Sequence, residues 1–258
     1  MIILGIDAST VRSSVCLGSP SGLLATAALG RPQAHGEFLV PAITFCLERA
    51  GVGIDAVEGV AVSVGPGLYT GMRVGIATAQ ALAHSRQLPV VGQSTLDVVA
   101  HAYRDVAEPR TLFAVLDAKR GELFWAGYRA DGEGLRRVTD QRVGPPDKLA
   151  SEVEATGGQP LCAGDGARAH ATLLAAAGGR IAVGQEAPSA LAVVELSLPR
   201  FLAQDTQRAE DLRAVYLRQP DARISWRNRG ALYGGPGDGA DPPAAGPEGS
   251  PVAGGDLP

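Results

Sequence analysis

The segment Gly5-Ile6-Asp7-Ala8-Ser9 has a counterpart in the second half of the chain, Val115-Leu116-Asp117-Ala118-Lys119. Each Asp-Ala pair ends an apolar run of strand length and is followed by a short turn and an alternating strand. A second turn closes each copy, Ser19-Pro20-Ser21-Gly22 in one and Asp131-Gly132-Glu133-Gly134 in the other. A supersecondary unit met twice in the same internal order constrains the fold more than any single motif, because the chain must build that unit twice.

The elements that follow each copy agree. Leu39, Ile43, Leu47 and Ala50 mark an amphipathic helix over 37–50, with Pro41 early enough to be tolerated. Strands are predicted at 59–64 and 89–91, with helices over 71–85, N-capped by Thr70, and over 95–103. In the second copy, strands are expected at 112–116, 123–128 and 135–138, then a helix at 146–155. A strand at 160–163, a helix at 167–177, a strand at 181–183 and a helix at 190–203 complete it. A duplicated β-meander with following helices is the plan of the sugar-kinase, heat-shock-protein-70 and actin superfamily. The expectation is a duplicated actin-like (ribonuclease-H-like) α/β fold, with lobes at 1–105 and 106–229. Residues 230–258 include nine Gly and six Pro and almost no large apolar side chain, so they are expected to form a disordered acidic tail.

Charge narrows the function. The net charge is −4, and Asp238, Asp241, Glu248 and Asp256, which follow the last basic residue Arg229, account for all of it. A neutral body argues against strong nucleic-acid binding by this chain alone, since that affinity comes from neutralising phosphates. The N-terminus lacks a basic region, Asp7 interrupts its apolar run, and no stretch is long enough for a membrane span, so a soluble cytoplasmic protein is expected. Cys16, Cys46 and Cys162 are far apart in apolar surroundings and read as core residues in a reducing compartment.

Three features could carry chemistry. Asp7 closes a strand where superfamily enzymes place an acid facing Mg²⁺ and nucleotide phosphates, but it could equally hydrogen-bond its own turn. Gly65-Pro66-Gly67 could present free amides to an anion, with Gly65 and Gly67 as weak candidates, yet it has no lysine and no phosphate-loop pattern. Gly71, Gly75, Ala79 and Ala83 recur every four residues and form a helix ridge almost without side chains. Such a ridge admits close approach, either of a partner helix or of the protein's own sheet. His35, His84, His101 and His170 form no His-x-x-x-His pair, and no serine sits in a Gly-x-Ser-x-Gly elbow.

The run Gly65-Pro66-Gly67-Leu68-Tyr69-Thr70-Gly71-Met72-Arg73-Val74-Gly75 closely resembles the signature of the TsaB (formerly YeaZ) family, with Leu68-Tyr69 in place of the usual Ser-Phe. Ile6-Asp7-Ala8-Ser9, Gly92-Gln93-Ser94-Thr95-Leu96, residues 116–126 and Val215-Tyr216-Leu217-Arg218 resemble further family motifs, in order. The resemblance implies an accessory role in making N6-threonylcarbamoyladenosine in tRNA, beside the anticodon. It implies TsaD as the catalytic heterodimer partner, TsaE as a further partner, and a possible homodimer through the N-terminal helices. TsaD-like proteins carry a His-x-x-x-His metal pair, which this chain lacks. By resemblance, Leu39, Ile43, Leu47, Gly71, Arg73, Gly75 and Ala79 supply the interface. No cofactor is expected on this chain alone. ATP with Mg²⁺ and threonylcarbamoyl-adenylate are used by the complex, and tRNA is met only through it. The rival readings are a nucleotide-binding actin-like ATPase or kinase, which the missing phosphate loop opposes, and a peptidase, for which no catalytic set is present.

Overall fold

A computed structural model describes residues 1–31, 34–105, 111–130, 134–184 and 187–218. The expected tail at 230–258 and the expected lobe boundary at 105/106 lie outside the described residues or at their edge. Met1–Gln219 form one compact unit.

The first copy builds a five-stranded sheet in the order β3-β2-β1-β4-β5. Strands β1 (Ile3–Asp7), β2 (Ser13–Ser19) and β3 (Gly22–Leu29) form the antiparallel meander, and β4 (Gly59–Gly65) and β5 (Val90–Ser94) extend it in parallel. The second copy repeats the order as β8-β7-β6-β10-β11. Here β6 (Thr111–Lys119), β7 (Glu122–Ala130) and β8 (Leu135–Arg137) form the meander, with β10 (Leu161–Ala163) and β11 (Arg180–Ile181) in parallel. A short strand that the sequence reading lacked, β9 (Arg142–Gly144), also pairs with β7. The duplication extends to single hydrogen bonds. Asp7 Oδ1 accepts from the Ser9 amide (3.4 Å), and Asp117 Oδ1 accepts from the Lys119 amide (2.7 Å). A short acceptor two residues before the donor closes both turns in the same way.

Helices α1 (His35–Ala50) and α2 (Tyr69–Arg86) cover one face of the first sheet. Leu4 and Ile6 of β1, Val60 and Val62 of β4, and Leu39, Ile43 and Cys46 of α1 share that core. The β1 run is apolar throughout because its other face is covered as well. There Ile3, Cys16, Ala61 and Val91 pack against α7 (Ala190–Leu202). A Cβ on Gly5 would lie 2.6 Å from the Ala190 carbonyl oxygen, so this strand glycine sets how closely α7 can ride.

The last helix of the second copy thus serves the first sheet, and the converse also holds. Leu96, Val99 and Ala100 of α3 (Thr95–His101) join Leu112, Ala114, Leu116 and Tyr128 in the core of the second sheet. This exchange of helices explains why two sheets with separate cores make one compact unit. Helix α4 (Pro146–Thr156) backs the far face of the second sheet, where Trp125 is buried and donates Nε1–H to Glu152 (3.0 Å).

Three local expectations are corrected. Helix α2 starts one residue before Thr70, with Leu68 at the N-cap and no side-chain cap, so Thr70 lies inside the helix. The single helix expected over 167–177 is two, α5 (Asp165–Ala169) and α6 (Ala171–Ala176), separated by His170 at φ −115°. The strand expected at 181–183 runs from Arg180 to Ile181.

All three cysteines are buried and free, and burial pushes the thiols of Cys16 and Cys162 up to about 12. A thiolate is the reactive form. The native protein is therefore expected to give no colour with Ellman's reagent at pH 8, and to release three equivalents of thiol only on unfolding.

Candidate functional site

The signature residues 65–75 lie at the carboxyl end of the parallel strands, where open α/β sheets form crevices. Gly65 has φ +109°, a conformation that glycine adopts without strain, and a Cβ there would lie 2.5 Å from Met72 Sδ. A Cβ on Gly67 would overlap the Ser9 carbonyl, the oxygen that accepts the Leu68 amide (2.7 Å). The loop is therefore a strand-to-helix turn pressed against the β1–β2 turn.

The second copy repeats this arrangement. Gly164 takes φ +114°, a Cβ on Gly166 would lie 2.7 Å from Leu116 C, and Asp165 Oδ1 accepts from the Asp117 amide (3.0 Å).

Asp7 is fully buried, and Oδ2 accepts from Ser9 Oγ (2.9 Å). Burial raises its pKa, and the Ser9 bonds oppose that rise. A carboxyl whose folded pKa exceeds its unfolded value binds more protons when folded, so this group's penalty grows as pH rises from below its unfolded pKa through its folded one. Asp7→Asn is therefore expected to unfold at higher denaturant than the parent at pH 7. That gap should close as pH falls below the raised pKa, which urea titrations at pH 4 and pH 7 would show.

The closing motif ties these parts together. The Val215 amide donates to the Val64 carbonyl (2.7 Å), and Gln80 Nε2 donates to the carbonyls of Ala209 (3.0 Å) and Leu212 (3.2 Å). Arg73 lies 4.1 Å over the Tyr69 ring and donates Nε–H to Tyr216 Oη (3.0 Å), while Arg218 pairs with Glu122 of the second meander. Apart from the Tyr69–Arg73 stack, which spans one helical turn, these contacts join residues at least 96 positions apart, and sequence spacing gives no sign of them.

The predicted interface residues separate into two groups. Gly71, Gly75, Ala79 and Ala83 are buried within the chain's own fold. A Cβ on Gly71 would overlap the Ala8 carbonyl oxygen, and one on Gly75 would meet the Ala8 methyl at 3.4 Å. The ridge therefore faces the chain's own first sheet and its β1–β2 turn, which corrects the reading of Gly71, Gly75 and Ala79 as docking residues. Leu39 is buried in the same core and is corrected with them. Ile43 is also buried in that core, although it lines the floor of a groove, whereas Leu47 is half-buried and Arg73 is exposed.

A second stripe of small residues, Ala77, Ala81 and Ser85, occupies the outward face of α2 and is exposed. Together with Val40, Ile43 and Leu47 of α1 it lines an open, mainly apolar groove of about 870 Å³. Val40, 62% exposed, stands at the groove, and Phe45 on the same helix is 47% exposed. The second stripe has the same four-residue spacing as the first, and that spacing was the signal available in the sequence.

Comparison with known proteins supplies the family. A family model described as "TsaD: tRNA N6-adenosine threonylcarbamoyltransferase" matches residues 31–222. The tRNA threonylcarbamoyladenosine biosynthesis protein TsaB of Escherichia coli is 30% identical, over 88% of this chain and 97% of that protein. The chain belongs to the TsaB family. The Haemophilus influenzae TsaB is 27% identical over 88% of this chain and 96% of its own length. The structure of YeaZ from Pseudomonas aeruginosa superposes with a TM-score of 0.73 at 27% identity, covering 84% of this chain and 99% of that one. Membership agrees with the duplicated actin-like architecture and with the contacts that bring Ser9, the 65–75 segment and Val215 together at the end of the first sheet. Among the described residues, no helix is long and apolar enough to cross a membrane.

Proposed function

We propose that this chain is the accessory subunit of a tRNA threonylcarbamoyladenosine-forming complex, and that it docks the catalytic subunit TsaD through the α1–α2 groove. Family membership supports the pathway, since TsaB relatives carry it in their names. The observation that carries the docking reading is the groove itself. An apolar cleft between two helices, edged by Ala77, Ala81 and Ser85, lets a partner helix approach to a short interaxial distance. Exposed Val40 and Phe45 offer the large side chains that dominate interface energetics. The chain has no His-x-x-x-His pair, the pattern that the resemblance assigns to TsaD, so the transfer itself is assigned to the partner.

Analytical ultracentrifugation of this chain mixed with TsaD tests the reading. A one-to-one complex that forms with the parent and is lost on Ala81→Arg supports it. Equal complex formation by both proteins would move the docking face elsewhere. A possible homodimer uses the same face in this reading, so TsaD should compete with self-association.

A further inference from the structure

Tyr69, Arg73 and Tyr216 form a small surface cluster where the start of α2 meets the closing segment. Of the described aromatic side chains, Phe45, Tyr69 and Tyr216 are the exposed ones, so two of the three stand side by side here. Their ring centroids are 5.5 Å apart. The Arg73 guanidinium lies 4.1 Å over the Tyr69 ring, and its Nε donates to Tyr216 Oη at 3.0 Å. The stack fixes the plane of the guanidinium, and the Nε bond fixes its rotation within that plane. Both Nη groups occupy the remaining corners, and among the described residues neither meets an acceptor. An exposed guanidinium is ordinarily mobile. This one is held still while the end that binds oxyanions in pairs stays unused.

The position of Arg73 says what the fork is for. It begins the outward stripe of α2, and Ala77 follows one turn later, about 6 Å along the axis. Ala81 and Ser85 continue the stripe, and these three small residues line the groove. Arg73 is the one charge on that stripe. A nucleic-acid backbone is bound by several cations at once and gains nothing from a track of alanines. A protein helix that packs on the alanines and carries one carboxylate uses both features.

We infer that Arg73 receives an aspartate or glutamate side chain of TsaD end-on through its two Nη groups, with Tyr69 and Tyr216 as positioning residues. The inference rests on the docking reading and adds a polar anchor to it. An apolar track alone lets a partner helix slide or reverse, whereas a paired charge at one end sets direction and register. Tyr216 belongs to the segment whose Arg218 pairs with Glu122 of the second meander, so the fork is set only with that segment in place.

The test is titration of TsaD into the full chain and into Arg73→Gln, Tyr216→Phe and Ala81→Arg, with a thermal melt of each. Arg73→Gln is expected to bind roughly tenfold more weakly, as for a lost charge-assisted hydrogen bond, and to lose most of the parent's salt dependence. Tyr216→Phe keeps the ring and the guanidinium but not the orienting bond, and should weaken binding by roughly threefold. Arg73→Lys treated with a carbodiimide gives a second readout, an amide cross-link between position 73 and a TsaD carboxyl group, located by mass spectrometry. A role confined to holding the closing segment would lower the melting temperatures and give no cross-link. Weaker binding by Arg73→Gln together with the cross-link supports the inference, and absence of either overturns it. A parent that forms no complex with TsaD overturns the docking reading as well. A complex lost on Ala81→Arg but bound equally by Arg73→Gln and the parent overturns this inference alone. So does weaker retention of tRNA by the Arg73→Gln complex at unchanged TsaD affinity, which would assign the fork to phosphate.

Discussion

Replacing Gly71 with alanine lowers the melting temperature by roughly 6–12 °C, whereas the same change at Gly75, one turn further along α2, leaves it unchanged or raises it. The two sites have the same sequence character, and opposite outcomes follow from what each faces. A methyl at position 71 would overlap the Ala8 carbonyl oxygen and lie 2.9 Å from the His35 ring. The carbonyl belongs to the β1–β2 turn, whose conformation Asp7 and Ser9 fix, so it cannot retreat alone. Overpacking of this kind costs about 3 kcal/mol. At position 75 the methyl would lie 3.4 Å from the Ala8 side chain and 3.7 Å from Ile6 Cγ2, ordinary contact distances. Alanine there gains up to about 1 kcal/mol of helix propensity with no clash to offset it. Thermal melts of the two variants beside the parent check both signs. Equal destabilisation at 71 and 75 would contradict the placement of this helix against β1.

Ala81→Arg is expected to raise the dissociation constant for TsaD by about 100-fold, or about 2.7 kcal/mol, while the variant melts with the parent. Ala81 is exposed on the outward face of α2 and lines the groove without belonging to the core. A guanidinium there meets water in the free subunit at little penalty. In the complex it would fill the space that a partner helix needs and would bury a charge without a partner. Gly75→Leu reads a different property. It adds bulk against Ala8 and Ile6 and so reports on folding, and its effect on pairing would say nothing about the interface.

Much of the fold was legible because the chain states it twice. The Asp-Ala turns at 7–8 and 117–118, and the apolar runs before them, determine both meanders, and the helices that follow gave the order of elements. Which core each helix serves was not legible. Helices α3 and α7 each cross to the other sheet, and an apolar face looks the same whichever sheet receives it.

The same ambiguity misled the reading of α2. Two stripes of small residues run along that helix, 71-75-79-83 and 77-81-85, and spacing alone cannot say which one is inward. Geometry decides, because the Gly65-Pro66-Gly67 turn is pressed on Ser9 and so starts the helix with Gly71 over Ala8. Leu39, Ile43 and Leu47 share one periodic stripe, yet Leu39 and Ile43 sink into the core and only Leu47 stays half-buried, a difference that spacing does not carry. The contact of Ser13 with His35 joins a strand to a helix and leaves no local trace in the sequence.

The central claim is that this chain promotes a transfer it does not perform. The most direct measurement is formation of N6-threonylcarbamoyladenosine in tRNA supplied with ATP and threonylcarbamoyl-adenylate, made with this chain alone, with TsaD and TsaE alone, and with all three. The account predicts no product from the chain alone, product from the three together, and loss of that product when Ala81→Arg replaces the parent. Full transfer by the purified chain without TsaD would contradict it.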